Sequence, residues 1–196
     1  MNYSKSIELN PQYSNAYYGR GNSYVHLRNY NKALNDYTKS IELNPQYESA
    51  YINRGLVFCE LKDYSGAIDD FNKAIEINPK YAKTYKLRAI VKKHMNNNKE
   101  AIVDFNKSIE LDPGNADSYC QRGISEYLLQ KHKDALMDFE KSIKLDSLRG
   151  YTYYNKALAE LQLNQNNEAC KDFRKAADLG NKDALEQIKQ NCSNIK

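Results

Sequence analysis

The sequence predicts an all-α fold, a stack of antiparallel helix pairs, and three observations carry that prediction. The nine residues KSIELNPQY stand at 5–13 and return at 39–47, an interval of 34. A tandem repeat at such an interval is the signature of a stacked solenoid. Laid in rows of 34 from Ser14, the chain gives five full units without a gap, beginning at Ser14, Glu48, Ala82, Ala116 and Gly150. Within a unit the apolar residues recur at helical spacing, as in Tyr51, Gly55, Phe58 and Leu61 and again in Ala67, Phe71, Ala74 and Ile75. Lys62 and Asp63 form the polar break between the two stretches, so each unit reads as a helix, a turn and a second helix.

The elements follow in order. Residues 1–13 read as the tail of a second helix, because Tyr3, Ser6, Ile7, Leu9 and Pro11 match Tyr37, Ser40, Ile41, Leu43 and Pro45. The first helix that should cover that tail is missing, so the array reads as excised or truncated, and its N-terminal edge is expected to be disordered or to self-associate. Units 14–47, 48–81, 82–115, 116–149 and 150–183 come next. Tyr17, Tyr51, Tyr85, Tyr119 and Tyr153 form one column, Ala33, Ala67, Ala101, Ala135 and Ala169 a second, and Tyr37, Phe71, Phe105, Phe139 and Phe173 a third. Pro11, Pro45, Pro79 and Pro113 end one helix and fix the turn into the next. Gly21, Gly55, Ala89, Gly123 and Ala157 are small and are expected to face the alanine column, which lets the paired axes approach. Residues 184–196 hold a capping helix and tail, with Ala184, Leu185 and Ile188 as its apolar stripe, as a terminal cap requires.

Composition narrows the function classes. With 196 residues, 28% charged and 41% hydrophobic, the chain can bury a core. No apolar run is long enough to cross a bilayer, and residues 1–13 lack the basic start and apolar stretch of a secretory signal. The net charge of +4 is spread as alternating Lys, Asp and Glu, the pattern of a solvated helix face, so neither nucleic acid nor a membrane is expected as a partner. Cys59, Cys120, Cys170 and Cys192 show no CxxC pair and no histidine at ligand spacing, and read as reduced thiols in the cytoplasm. No metal or other cofactor is expected. His26, His94 and His132 lie in different units, and neither a phosphate loop nor a nucleophile motif is present, so the chain is not expected to be an enzyme.

Tyr17, Arg20, Gly21 and Tyr24, then Ala33, Tyr37 and Pro45, resemble the tetratricopeptide repeat, with Tyr in place of its Trp and Arg in place of its Leu. The resemblance implies a right-handed superhelical solenoid whose first helices line a concave groove, and a role in holding a peptide or another protein. Fold alone does not establish that role. A structural scaffold or an oligomerisation segment of a longer protein is the alternative.

Two departures from the family pattern matter. Arg20, Arg54, Arg88, Arg122 and Lys156 form a basic column, and Asp36, Asp70, Asp104, Asp138 and Asp172 form an acidic one sixteen residues on. In a hairpin that turns near Leu27 to Asn31 the two columns lie at one height and should pair as a structural ladder. Tyr24 with Tyr30 and Phe58 with Tyr64, expected to pack on each other, give way later to Lys92 with Asn98, Glu126 with His132 and Glu160 with Asn166.

The candidate groove consists of first-helix residues not spent on packing. These are Tyr18 and Asn22; Ile52, Asn53 and Leu56; Lys83, Lys86, Ile90 and Lys93; Gln121, Ile124 and Tyr127; and Tyr154, Asn155 and Leu158. Amides suit a peptide backbone, the aliphatic floor suits apolar side chains, and the lysines favour an acidic group. Repeats that grip the C-terminal carboxylate of cytosolic heat-shock chaperones use a five-residue clamp. Asn22, Asn53 and Lys83 fall on three of its places, whereas Tyr18 and Leu87 stand where basic residues belong.

Overall fold

The computed structural model describes residues 3–193. Its elements are α1 (Tyr3–Leu9), α2 (Ser14–His26), α3 (Tyr30–Leu43), α4 (Glu48–Glu60), α5 (Tyr64–Ile77), α6 (Ala82–His94), α7 (Asn98–Leu111), α8 (Ala116–Leu128), α9 (His132–Leu145), α10 (Gly150–Gln162), α11 (Asn166–Asp178) and α12 (Asp183–Asn191). They form two compact units, Met1–Met95 and Asn96–Lys196. In the first, α2 pairs with α3 and α4 with α5, and each second helix also packs on the first helix that follows it. In the second, α8 pairs with α9 and α10 with α11, while α12 lies on α11. This is the all-α tetratricopeptide-type solenoid that the sequence predicts.

Two recurring turns set the period. Inside a pair, the second residue after the first helix is left-handed: Arg28, Lys62, Asn96, Gln130 and Asn164 have φ of 56°, 61°, 61°, 62° and 60°. That conformation lets Asn29 N–H bond back to the Tyr24 carbonyl at 2.8 Å, and Asp63 N–H to that of Phe58 at 2.9 Å, closing each helix in a Schellman-type turn. Asn29 and Asp63 then cap the second helix, their side chains accepting from the amides of Lys32 and Gly66. Between pairs, the side-chain oxygens of Asn10, Asn44, Asn78, Asp112 and Asp146 each accept from the amide two residues on. This Asx turn persists at Asp146, where no proline follows, so it and not the proline is the constant element of the junction.

The core is the alanine and aromatic columns. Ala33, Ala67, Ala101, Ala135 and Ala169 are wholly buried, and so in effect are Tyr37, Phe71, Phe105, Phe139 and Phe173. The small column makes room for the aromatic as well as for the alanine: a Cβ at Gly55 would lie 2.8 Å from the Phe71 ring, and one at Gly123 would lie 2.9 Å from the Phe139 ring and 3.2 Å from the Ala135 carbonyl. At the N-terminal edge α1 is helical, with Tyr3 lying against the buried Gly19, so Tyr3–Leu9 are not disordered. Met1 and Asn2 lie outside the described residues.

Arginine and aspartate pair as the sequence predicts. Arg20 meets Asp36 at 2.7 Å, Arg54 meets Asp70 at 2.7 Å, Arg122 meets Asp138 at 2.6 Å, and Lys156 meets Asp172 at 2.6 Å. The arginines form two parallel bonds to the carboxylate and stack on the tyrosine three residues before them, at 5.7 Å for Arg20, Arg54 and Arg122 alike. Each arginine also reaches back to the preceding second helix, as Arg54 does to Thr38 at 3.0 Å and Arg88 to Asn72 at 2.6 Å. One side chain thus ties three helices together.

The expected aromatic packing differs in detail. Tyr64 stacks on His94, with ring centroids 6.0 Å apart and planes 7° from parallel, and the Tyr30 hydroxyl donates to Glu60 at 3.4 Å. In the second unit, Glu160 replaces the aromatic and is only 3% exposed. It shares Lys156 with Asp172, and its second oxygen has no partner. Burial raises its pKa from 4.5 to about 7, with Lys156 opposing and Asp172 adding to the rise. The folded carboxyl therefore keeps its proton longer than the unfolded one. The stability this confers is present below about pH 4.5 and is lost as pH rises to about 7. Glu160→Gln is expected to melt roughly 2–4 °C above the parent at pH 8, the effect of about 1 kcal/mol in a chain of this size, and level with it at pH 4.5. Melting curves followed by circular dichroism at the two pH values check this, and an equal gain at both would refute it.

The cysteines depart from expectation. Cys170 and Cys192 are joined in a disulfide, with Cα atoms 5.6 Å apart and a sequence separation of 22, whereas Cys59 and Cys120 are free. Four reduced thiols are therefore not what the fold holds. The pair forms because α12 folds back over α11 and brings a residue outside the repeat period onto the last hairpin.

Candidate functional site

A cavity of about 660 Å³ opens between α2 and α4 in the first unit. Asn22, Val25 and His26 reach it from α2, Arg28 from the turn, Tyr30 and Tyr37 from α3, and Asn53, Leu56, Val57, Cys59 and Glu60 from α4. The two amides are held in place. Asn22 Oδ1 accepts from the Tyr37 hydroxyl at 2.7 Å and from Asn53 Nδ2 at 2.9 Å, and Asn53 Nδ2 also donates to the Tyr18 hydroxyl at 3.0 Å. Both hydrogens of Asn53 are thereby engaged, while Asn22 Nδ2 and Asn53 Oδ1 have no hydrogen-bond partner among the described residues. Burial pushes the Tyr37 phenol up to about 12 and the Cys59 thiol up to about 11. Neither group ionises near neutrality, so the charge at the cavity comes from Arg28 and Glu60 at its turn end.

Of the residues proposed from sequence, Asn22, Asn53 and Leu56 line this cavity, and Ile90 lines a smaller one between α4 and α6. Lys83 is exposed and Lys86 and Lys93 are half-buried on α6. Other proposed residues are occupied by packing. Tyr18 sits against Tyr37 and Tyr47, at 5.9 and 4.9 Å between centroids. Ile52 is 6% exposed and Ile124 9%, so both belong to the core. Tyr127 tilts onto His132, Tyr154 meets Phe173 edge-on, and Asn155 donates to the Tyr151 carbonyl at 2.8 Å. Leu158 packs on the cluster around Phe173, and Gln121 is half-buried. The sequence reading missed Val25, His26, Arg28 and Tyr30, which enter the cavity from the turn end. Of these, Tyr30 stands out in the sequence, but as a packing partner of Tyr24.

Comparison with known proteins agrees with this geometry. The tetratricopeptide repeat is matched at residues 14–47 and 49–81 by one profile, and at 82–115 and 151–183 by a second. No curated protein matches in sequence. Among solved structures, the chain is similar to YrrB, described as a TPR protein with an unusual peptide-binding site, at 22% identity and a TM-score of 0.79, covering 96% of this chain and 98% of that one. It is similar to MamA from Desulfovibrio magneticus RS-1 at 15% identity and a TM-score of 0.79, over 85% and 94% of the two chains. It is also similar to yeast Tom70 at 21% identity and a TM-score of 0.76, over 96% of this chain and 42% of that one. These likenesses concern the fold. Four matched segments, which together span more than half of the chain, make it a member of the tetratricopeptide repeat family.

Proposed function

We propose that the chain is a non-catalytic protein–protein interaction module that holds a peptide segment on the first-helix surface of its first unit. The observation that carries this reading is the open cavity between α2 and α4, where pre-positioned amides with spare valence stand beside an apolar floor of Leu56 and Val57. Small sites of this composition suit a side chain and its flanking backbone. The peptide-binding site described for YrrB is in keeping with the reading. A carboxylate clamp at Asn22 and Asn53 has less in its favour, because the two amides bond to each other.

A random peptide library displayed on phage and selected on the purified chain should yield binders that Leu56→Arg abolishes, with helicity unchanged. Enrichment that Leu56→Arg leaves intact would place binding elsewhere. Self-association through the N-terminal edge is the second reading, favoured by Leu9, which is 77% exposed on α1. Sedimentation of the same samples would then show a dimer that Leu9→Glu dissolves. No helix among the described residues is long and apolar enough to cross a membrane. The cytoplasmic placement rested on reduced thiols, and the Cys170–Cys192 bond removes that support.

A further inference from the structure

Charges of both signs alternate along most of the chain, but the positive excess sits in one element. Helix α6 carries Lys83, Lys86, Arg88, Lys92 and Lys93 and no Asp or Glu. The other first helices, α2, α4, α8 and α10, are each within one charge of neutral. The chain has 29 Lys and Arg against 25 Asp and Glu, so outside α6 there are 24 of the former and 25 of the latter. Whatever partners the individual lysines take, the rest of the chain offsets the five charges of α6 by only one.

The excess lies beside an apolar cavity. A second cavity, of about 300 Å³, opens between α4 and α6, and Leu56, Leu87, Ile90 and Val91 are among its lining residues. Glu60 and Lys62 also line it and balance each other in charge. Lys83, Lys86, Ile90 and Lys93 recur at intervals of three, four and three, so they share one face of α6. Ile90 on that face lines the cavity, which sets the lysine face at its edge. Arg88 is spent on structure, stacking on Tyr85 at 5.7 Å and donating to Asn72 at 2.6 Å. Leu56 lines both this cavity and the larger one between α2 and α4, so a segment held at the first reaches the second without leaving α4.

Charge complementarity then fixes the chemistry of the occupant. A local excess of one sign attracts the other and rejects its own, so the ligand carries carboxylates. The aliphatic floor calls for an aliphatic side chain. A nucleic acid would satisfy the lysines but has no side chain for that floor, which favours a peptide.

We infer that the segment held by the first unit is acidic, seating an aliphatic side chain against Leu56, Leu87 and Ile90 and laying Glu or Asp side chains along the lysine face of α6. This rests on the proposed peptide-binding role and specifies its ligand.

The test uses the intact chain and short fluorescent peptides with a central Leu flanked by Glu, by Gln or by Lys, blocked at both ends so that no terminal carboxylate takes part. Fluorescence anisotropy at low salt is expected to show the Glu-flanked peptide binding about tenfold tighter than the Gln-flanked one and the Lys-flanked one weakest, with the differences shrinking at high salt. Replacing the central Leu by Ser should weaken the Glu-flanked peptide about tenfold. Lys83→Glu, at an exposed position, should weaken the Glu-flanked peptide and strengthen the Lys-flanked one, an opposite pair of changes that a folding defect does not produce. Equal binding of the Glu- and Gln-flanked peptides would overturn acid recognition, and indifference to Leu→Ser would overturn the aliphatic seat. A labelled oligothymidylate that binds more tightly than the Glu-flanked peptide would assign α6 to nucleic acid and overturn the inference. If no peptide of the panel binds but phage selection yields non-acidic ones blocked by Leu56→Arg, the ligand class is overturned alone. Failure of both experiments overturns the inference together with the function it rests on.

Discussion

Cys192→Ser is expected to destabilise the last hairpin by about 2–4 kcal/mol, the usual contribution of a buried disulfide. Cys170 is fully buried and Cys192 is 4% exposed, and both lie in the cluster formed by Ala157, Ala169, Phe173, Ala176 and Ala184. Within α12 only Ala184 is fully buried, and its Leu185 is 55% exposed. A helix of nine residues is marginal in water without such an anchor. Amide exchange in α12 should therefore accelerate in the variant toward the unprotected rate, while α8 and α9 stay protected. A dithiol added to the parent should reproduce the change, reducing the bond to two thiols as the dithiol is itself oxidised, and should add nothing in the variant. Protein purified without reductant should show two alkylatable thiols after denaturation, Cys59 and Cys120. Finding four would mean that the bond does not form.

Asp70→Ala is expected to cost about 3–5 kcal/mol, because it strands a guanidinium that is already drawn out of water. Asp70 is 3% exposed and takes both Arg54 bonds, at 2.8 and 2.7 Å. The bonds of Arg54 to Thr38 and its stacking on Tyr51 then hold the cation where its counter-charge is missing. Arg54→Leu combined with Asp70→Leu should recover most of that loss, since a well-packed apolar pair often replaces a buried ion pair without penalty. The recovery is physically reasonable here, because Leu is common at the arginine position in this family. Urea unfolding of the two single variants and the double variant gives the coupling directly. Simple addition of the single effects would show that the pair is not the unit of stability.

The features that were legible in the sequence are those that repeat. Ala67 and Phe71 report the crossing of a helix pair because the same local contact is made in every unit, and Arg54 with Asp70 could be matched because a hairpin of known turn fixes their height. The disulfide could not be read this way. Cys192 lies beyond the last repeat, and its partner is set by how α12 folds back, which no column encodes. Nor could the state of Asn22 and Asn53 be foreseen. Each looked available on its own helix face, yet they bond to each other across two repeats through a contact that depends on the Tyr37 hydroxyl. The turn-end wall of the cavity was missed for a related reason: helix faces say nothing about residues that follow the helix, such as Arg28 and Tyr30.

The Cys170–Cys192 bond also sets the path that a mechanical load takes through the molecule. Tension applied at Ser193 enters at Cys192 and passes straight to Cys170 within α11. The turn at Gly180, with its φ of 87°, and the whole of α12 lie outside that path and carry no force. Twenty-two residues of sequence separation, worth about 75 Å of extended chain, are withheld from stretching for as long as the bond lasts. A pull on this end is therefore resisted first by the start of α11 from Asn166 to Cys170, through the buried Ala169 and Cys170, and the cap rides along unloaded.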